Sequence, residues 1–330
     1  MTAGALRVVR LEGDAASRGR RAGELLGDLV ARSLDFYRGY LGDRAAELAP
    51  FRRAAERSLP EQVAWLDAFA AGAEVSSDEL FAVNALEELE RLAPVERCST
   101  FAAVGEGYSL LWHNEMWLEG DRGNVAVVIE RPAAGPAIAS PTIACCLPAV
   151  GLNEHRLARG IDSLTAHDDR TGVPRVLVSR HVLDARDRED ALRRAALPGR
   201  AGGYAYVFAA PGEAFAIETT ADRAALLNDA CALVHTNHYL GPELEPLGDE
   251  PSASSATRYA HLSRLIGERP PQTPEDAMAI LADHAAEPHD GGDSVVVFSM
   301  VCEVESGRMW VAPGDPSETA YEEVDLAGVV

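Results

Sequence analysis

Glu96-Arg97-Cys98-Ser99-Thr100-Phe101 is the stretch on which the fold turns. Before it, from Asp14 to about Leu92, apolar residues such as Leu25, Leu26, Leu29, Leu34 and Tyr37 recur at three-to-four spacing, the period of an amphipathic helix. After it the period falls to two, in short runs rich in valine, isoleucine and aromatic residues split by turn residues, the pattern of strands. A thiol at the head of the first strand is well placed for exposure. Cys98 is therefore the first candidate nucleophile.

In the leading segment, Pro50 and Pro60 interrupt the pattern, and Pro60 suits the first turn of a helix to about Ala73. Ser76-Ser77-Asp78-Glu79 reads as a capping box opening a helix through Glu90. Beyond Cys98, strands are predicted over 100–104, 108–113, 125–130 and 138–147, with Glu106-Gly107 as a hairpin turn. Helices follow over 175–185 and 189–196, then strands over 204–210, 214–219 and 232–235. Helices over 257–265 and 274–285 come next, the second capped by Thr273 with Pro274 in its first turn. Strands over 294–304 and 308–312 close the chain. This order predicts an α+β fold of two face-to-face sheets with helices outside. Alternating βαβ units are absent, and Gly291-Gly292 is too short for a dinucleotide fingerprint.

With 330 residues and 47% hydrophobic content, the chain can bury a large core without disulfides. One compact domain is expected, a helical leader over 1–97 packed on a core over 98–330. The formal charge of −22, with no basic stripe, repels phosphate backbones and anionic lipid, so neither nucleic acid nor membrane is an expected partner. All 30 basic residues are arginine. That removes a Schiff-base lysine, a phosphate-loop lysine and a lysine general base, and with them pyridoxal enzymes, Walker-loop hydrolases and kinases. The cysteines at 98, 145, 146, 231 and 302 show no zinc spacing, and the last four read as buried, reduced thiols. No secretory leader and no run of eighteen apolar residues is present, so a cytoplasmic location is expected.

Several segments resemble, in order, the isopenicillin N acyltransferase-like family of N-terminal-nucleophile hydrolases. Cys98-Ser99-Thr100 opening a strand and Trp112-His113-Asn114-Glu115 ending the next resemble the start of that family's mature chain. Gly151-Leu152-Asn153-Glu154, Thr171-Gly172-Val173-Pro174 with Arg180, Ile217-Glu218, Val234-His235-Thr236-Asn237-His238 and Ser255-Ala256-Thr257-Arg258 follow. The leader joins in through Leu59-Pro60, Ala71-Gly72-Ala73 and Asn84-Ala85-Leu86-Glu87-Glu88. The histidine-flanked Asn237 is the most specific element.

The resemblance implies a four-layer αββα sandwich whose precursor cuts itself just before Cys98. The freed α-amino group, of ordinary pKa about 7.7 to 8.0, can then serve as base for the adjacent thiol. An amide substrate becomes a thioester, and the acyl group passes to water or to an amine. Asn237 would donate its side-chain NH₂ to the oxyanion, although asparagine in a strand-end loop also forms turns. Asn114, Met116, Glu218 and Arg258 fall to the substrate side, where Arg258 binds a substrate carboxylate or pairs with an acidic neighbour. Thr100, His235 and His238 support the nucleophile and the asparagine loop. No metal is expected, since His235 and His238 have no third ligand nearby in sequence.

Three departures stand out. Met116 occupies a place where the family usually carries an aspartate, and Glu115 beside it, on the alternate face, cannot take over without a bulge. Asp162 stands where the family more often has asparagine close to the nucleophile, and a carboxylate there opposes an oxyanion unless protonated or bound to a cation. The expectation is that the site's negative charge has moved from position 116 to Asp162, where it would anchor a substrate or cofactor amine and act in catalysis. Arg97 replaces a common glycine and makes self-cutting harder. The leading reading is a cysteine amidohydrolase acting on a small-molecule amide. The alternatives are an acyltransferase onto a small amine, with a coenzyme A thioester as substrate rather than cofactor, and a degenerate binding protein. Partners are the amide or acyl donor and the amine; a homo-oligomer is left open.

Overall fold

Two antiparallel-dominated sheets lie face to face in the computed structural model, which describes residues 6–42, 47–89, 98–229, 231–286 and 294–329. Arg97, Glu90 and Gly291-Gly292 lie outside these residues, so the expected cleavage junction is described only from Cys98 onward. The larger sheet orders its eight strands as β1 (Arg7–Gly13), β4 (Val125–Pro132), β5 (Ile138–Ile143), β6 (Gly151–Asn153), β7 (Ala158–Leu164), β8 (Gly203–Ala210), β9 (Glu213–Thr219) and β10 (Ala224–Asp229). The smaller runs β11 (Ala232–His235), β2 (Ser99–Gly105), β3 (Tyr108–Leu118), β12 (Ser294–Glu303), β13 (Arg308–Ala312) and β14 (Glu322–Val324). Strands β2 and β3 face β7 and β8 across the interior.

Helices α1 (Ala15–Leu41), α6 (Arg175–Leu183) and α7 (Arg188–Ala195) cover the larger sheet, and α8 (Ala253–Glu268) and α9 (Pro274–Ala286) cover the smaller. The architecture is the αββα sandwich expected. The leader adds α2 (Leu48–Ser58), α3 (Pro60–Gly72), α4 (Ser77–Val83) and α5 (Leu86–Leu89). Helix α1 starts at the Asp14 cap, whose carboxylate accepts from the Ser17 amide at 2.8 Å. It packs on α3 so closely that a Cβ on Gly23 would lie 2.2 Å from the Phe69 carbonyl oxygen.

The leader is not purely helical, because β1 pairs in parallel with β4 inside the larger sheet. Its alternation is short and flanked by charge, with Val9 and Leu11 inward and Arg10 and Glu12 outward, so the helical signal after Asp14 masks it. Strand β7 escaped notice because Arg159, Gly160 and Asp162 interrupt its apolar run. Pro50 sits in the first turn of α2 rather than breaking it. Asn84 ends α4 early: its amide donates to the Cys145 carbonyl at 3.0 Å and its oxygen accepts from the Leu147 amide at 2.8 Å. Cys231 is exposed and Cys146 half-buried, against the expectation of burial.

A buried carboxylate ties leader to sandwich. Glu130 of β4 accepts from Trp65 Nε1 at 2.6 Å and from Arg180 Nη2 at 2.9 Å, and lies 3.4 Å from Arg18 Nε. Arg180 therefore serves the packing of the layers.

Candidate active site

The tight turn at Glu106-Gly107 fixes the site's geometry. It pairs Gly105 with Tyr108, Thr100 with His113 and Ser99 with Asn114, so Cys98 falls opposite Glu115. Opposed residues share a face of the sheet, and neighbours along a strand alternate. One face thus carries Cys98, Thr100, His113 and Glu115 together. The Cys98 thiol donates to Glu115 Oε1 at 3.4 Å, Glu115 Oε2 meets His113 Nε2 at 3.0 Å, and His113 Nδ1 meets Thr100 Oγ1 at 2.9 Å. Cys98 has φ +83°, the left-handed region that a side-chain-bearing residue enters at a cost of about 1–3 kcal/mol.

Strand β7 closes the other side. A Cβ on Gly160 would lie 2.6 Å from Thr100 Cγ2 and 2.9 Å from His113 Nδ1, so only glycine lets the sheets approach here. Two residues on, and on the same face, Asp162 is fully buried. Neither of its carboxylate oxygens has a hydrogen-bond partner among the described residues, although His235 Nδ1 lies 3.7 Å away. Burial pushes Asp162 up to about 7, against the pull of His235, His113, Thr100 and Arg258. Burial first, and then the Glu115 and Asp162 carboxylates, push the Cys98 thiol well above its ordinary range.

From α8 the fully buried Arg258 reaches the nucleophile's backbone. It donates to the Cys98 carbonyl, to Ser99 Oγ at 3.0 Å and to Asn237 Oδ1 at 2.6 Å. The Asn237 NH₂ donates to the Ser163 carbonyl at 3.1 Å and hydroxyl at 3.2 Å. Ser255 Oγ accepts from the Asn237 amide at 2.8 Å and meets His238 Nδ1 at 2.8 Å, which fixes the loop. Glu218 binds His235 Nε2 at 3.0 Å and accepts from the Leu240 and Gly241 amides. Burial alone would lower His235, but Glu218 and Asp162 leave it raised; the same contacts hold Glu218 low against its own burial. His238 is lowered by burial and by the neighbouring His235 and Arg258 charges.

The expected exposure of Cys98 is not met. It is 3% exposed, yet its surroundings are polar groups rather than the apolar core, because the interior between β2, β3 and β7 is lined by Thr100, His113, Glu115 and Asp162. Beside Glu115 opens a small cleft of about 40 Å³, partly open to solvent and walled by apolar residues including Trp117, Ile143, Leu147, Ile161 and Phe298.

The sequence assignments sort accordingly. Cys98, Thr100, Asp162 and His235 converge, and Asn237 joins them through Arg258. Asn114 and Met116 do not: strand alternation turns both away from the thiol's face. Glu115 occupies that face without any bulge in β3, and the irregularity at this level lies in β12 between Val296 and Phe298. The site's negative charge has therefore not simply moved from position 116 to Asp162; two carboxylates face the thiol. Arg258 spends donors on the Cys98 carbonyl, the Ser99 hydroxyl and the Asn237 side-chain oxygen. Glu218 braces His235 and the following loop. His113, Glu115 and Gly160 were missed, although counting back from the hairpin turn places Glu115 opposite Cys98.

Residues 146–318, just over half of the chain, match the family model described as acyl-coenzyme A:6-aminopenicillanic acid acyl-transferase. The chain belongs to this family. The matched stretch holds Asp162, Glu218, His235, Asn237, His238 and Arg258 of the cluster described above, while Cys98, His113 and Glu115 precede it. Among solved structures, penicillin V acylase from Agrobacterium tumefaciens is similar at 14% identity, covering 70% of this chain and 87% of its own, with TM-score 0.47. A mutant conjugated bile acid hydrolase from Clostridium perfringens is similar at 11% identity, covering 70% and 92%, with TM-score 0.45. No curated protein matches the sequence. No described helix is long and apolar enough to cross a membrane.

Proposed function

We propose that this member of the acyl-transferase family is a cysteine amidohydrolase that cuts itself before Cys98 and then hydrolyses small-molecule amides through a thioester. The observation that carries the reading is the line Cys98, Glu115, His113, Thr100, in which a thiol kept protonated by its surroundings is hydrogen-bonded to a carboxylate. A thiol held in that form needs a proton acceptor before it can attack. Glu115 is in place for that, and the α-amino group joins it once the chain is cut.

In turnover the thiol proton passes to the base and the sulfur attacks the amide carbon. The C–N bond then breaks, and the amine leaves with a proton returned by the base. Water adds to the thioester, releasing a carboxylic acid and restoring the thiol. Asn237 would turn its NH₂ from Ser163 toward the developing oxyanion, a donor commonly worth about 2.7 to 4 kcal/mol. The apolar cleft beside Glu115 favours an apolar acyl group.

A denaturing gel with fragment masses tests the first step. Two fragments dividing at Arg97 and Cys98 in the wild type, and one uncut chain in Cys98→Ala, are expected. An uncut wild-type chain that also leaves N-acyl amines intact would overturn the reading. Supplying an acyl donor with and without candidate amines, and looking for a new amide by mass spectrometry, decides between hydrolysis and transfer.

A further inference from the structure

We propose that the same face of β2 and β3 forms a zinc site, through Cys98 Sγ, His113 Nε2 and a Glu115 carboxylate oxygen, whose occupation holds the nucleophile inactive. The three ligand atoms lie within 4.8 Å of one another. Two separations are shorter still, 3.4 Å from Sγ to Glu115 Oε1 and 3.0 Å from Glu115 Oε2 to His113 Nε2. In a tetrahedral zinc site, with bonds of about 2.3 Å to sulfur and about 2.0 Å to nitrogen and oxygen, ligand atoms stand roughly 3.3 to 3.5 Å apart. The two short contacts use different Glu115 oxygens, so binding one ion requires the carboxylate to turn and the three ligand atoms to close in from within 4.8 Å.

The surroundings suit a cation. His113 is held through Nδ1 by Thr100 Oγ1 at 2.9 Å, which aims Nε2 at Glu115 as an outer hydrogen bond does for a metal-binding histidine. Asp162 supplies the independent sign: it is fully buried, neither oxygen has a hydrogen-bond partner among the described residues, and it projects from the face of β7 that covers His113. A thiolate, a neutral imidazole and a carboxylate carry two negative charges, which a divalent ion balances. Sulfur with nitrogen selects zinc over magnesium or calcium. Water would take the fourth position, with Glu115 also bordering the small cleft that is partly open to solvent. Binding displaces the thiol proton to solvent and leaves the sulfur bonded to the ion, so it no longer attacks an amide.

The test uses the full chain, stripped with a chelator and titrated with zinc salt alone against a chromophoric zinc indicator. One tightly held zinc per chain is expected, with affinity at least about 10-fold lower in Thr100→Val, which leaves the three ligands in place. Loss of tight binding is expected in Cys98→Ala and Glu115→Gln. In parallel, zinc should shield Cys98 but not the exposed Cys231 from alkylation, read by peptide mass mapping of the wild type. Equal alkylation of Cys98 with and without zinc, or undiminished binding in Cys98→Ala, would overturn the proposal. Neither readout depends on amide turnover, so failure here is distinct from failure of the proposed activity.

Discussion

Replacing Asp162 by asparagine should change the pH dependence of stability by an amount that follows from its burial. The carboxyl is raised from 3.8 to about 7 because its burial outweighs the opposing pull of His235, His113, Thr100 and Arg258. In the folded chain it keeps a proton that the unfolded chain has already lost. Its contribution is thus fully present below the unfolded pKa and declines as pH rises through the folded one. The shift is about three units, each worth about 1.36 kcal/mol, so the total penalty of ionising it reaches about 4 kcal/mol. Between pH 5 and pH 8 about 3 kcal/mol of that accrues. Urea unfolding of wild type and Asp162→Asn at the two pH values isolates this group, since the other titrating residues are shared. The stability of the variant relative to wild type should rise by about 3 kcal/mol from pH 5 to pH 8. A constant difference, or one that moves the other way, would show that Asp162 is already ionised and compensated.

Two further outcomes follow from the same geometry. Glu115→Gln keeps shape but removes the proton acceptor, so kcat for amide hydrolysis should fall by about 100-fold or more, with little change in the unfolding midpoint; undiminished kcat would assign the base elsewhere. Gly160→Ala places a methyl against Thr100 and His113 and should cost about 1–3 kcal/mol in urea unfolding while also lowering turnover. Unchanged stability would mean that the sheets are not held as closely as described.

Much of the sandwich was legible because strands β2, β3, β8, β9, β12 and β13 alternate cleanly or run apolar between turn residues, α1 carries helix periodicity, and prolines in the first turn mark the starts of α3 and α9. Strands β1 and β7 were not, because charged residues and a glycine occupy their inward or flanking positions for reasons of site and packing rather than core burial. At the site, Cys98 and Asn237 were found by resemblance and by residue type. Glu115 is passed over when Met116 is taken as the position facing the nucleophile, whereas the two-residue turn at Glu106-Gly107 sets Cys98 opposite Glu115 and Thr100 opposite His113. Burial of Cys98 was beyond reach of local pattern, since the strand that covers its face, β7, lies some sixty residues on.

The most direct measurement is an acid quench during turnover of an amide with an apolar acyl group, followed by peptide mass mapping. The account predicts that the acyl mass appears on the peptide beginning at Cys98, is released by hydroxylamine, and is missing in Cys98→Ala together with activity. Turnover that persists in Cys98→Ala, with no acyl group on the wild-type sulfur, would contradict it.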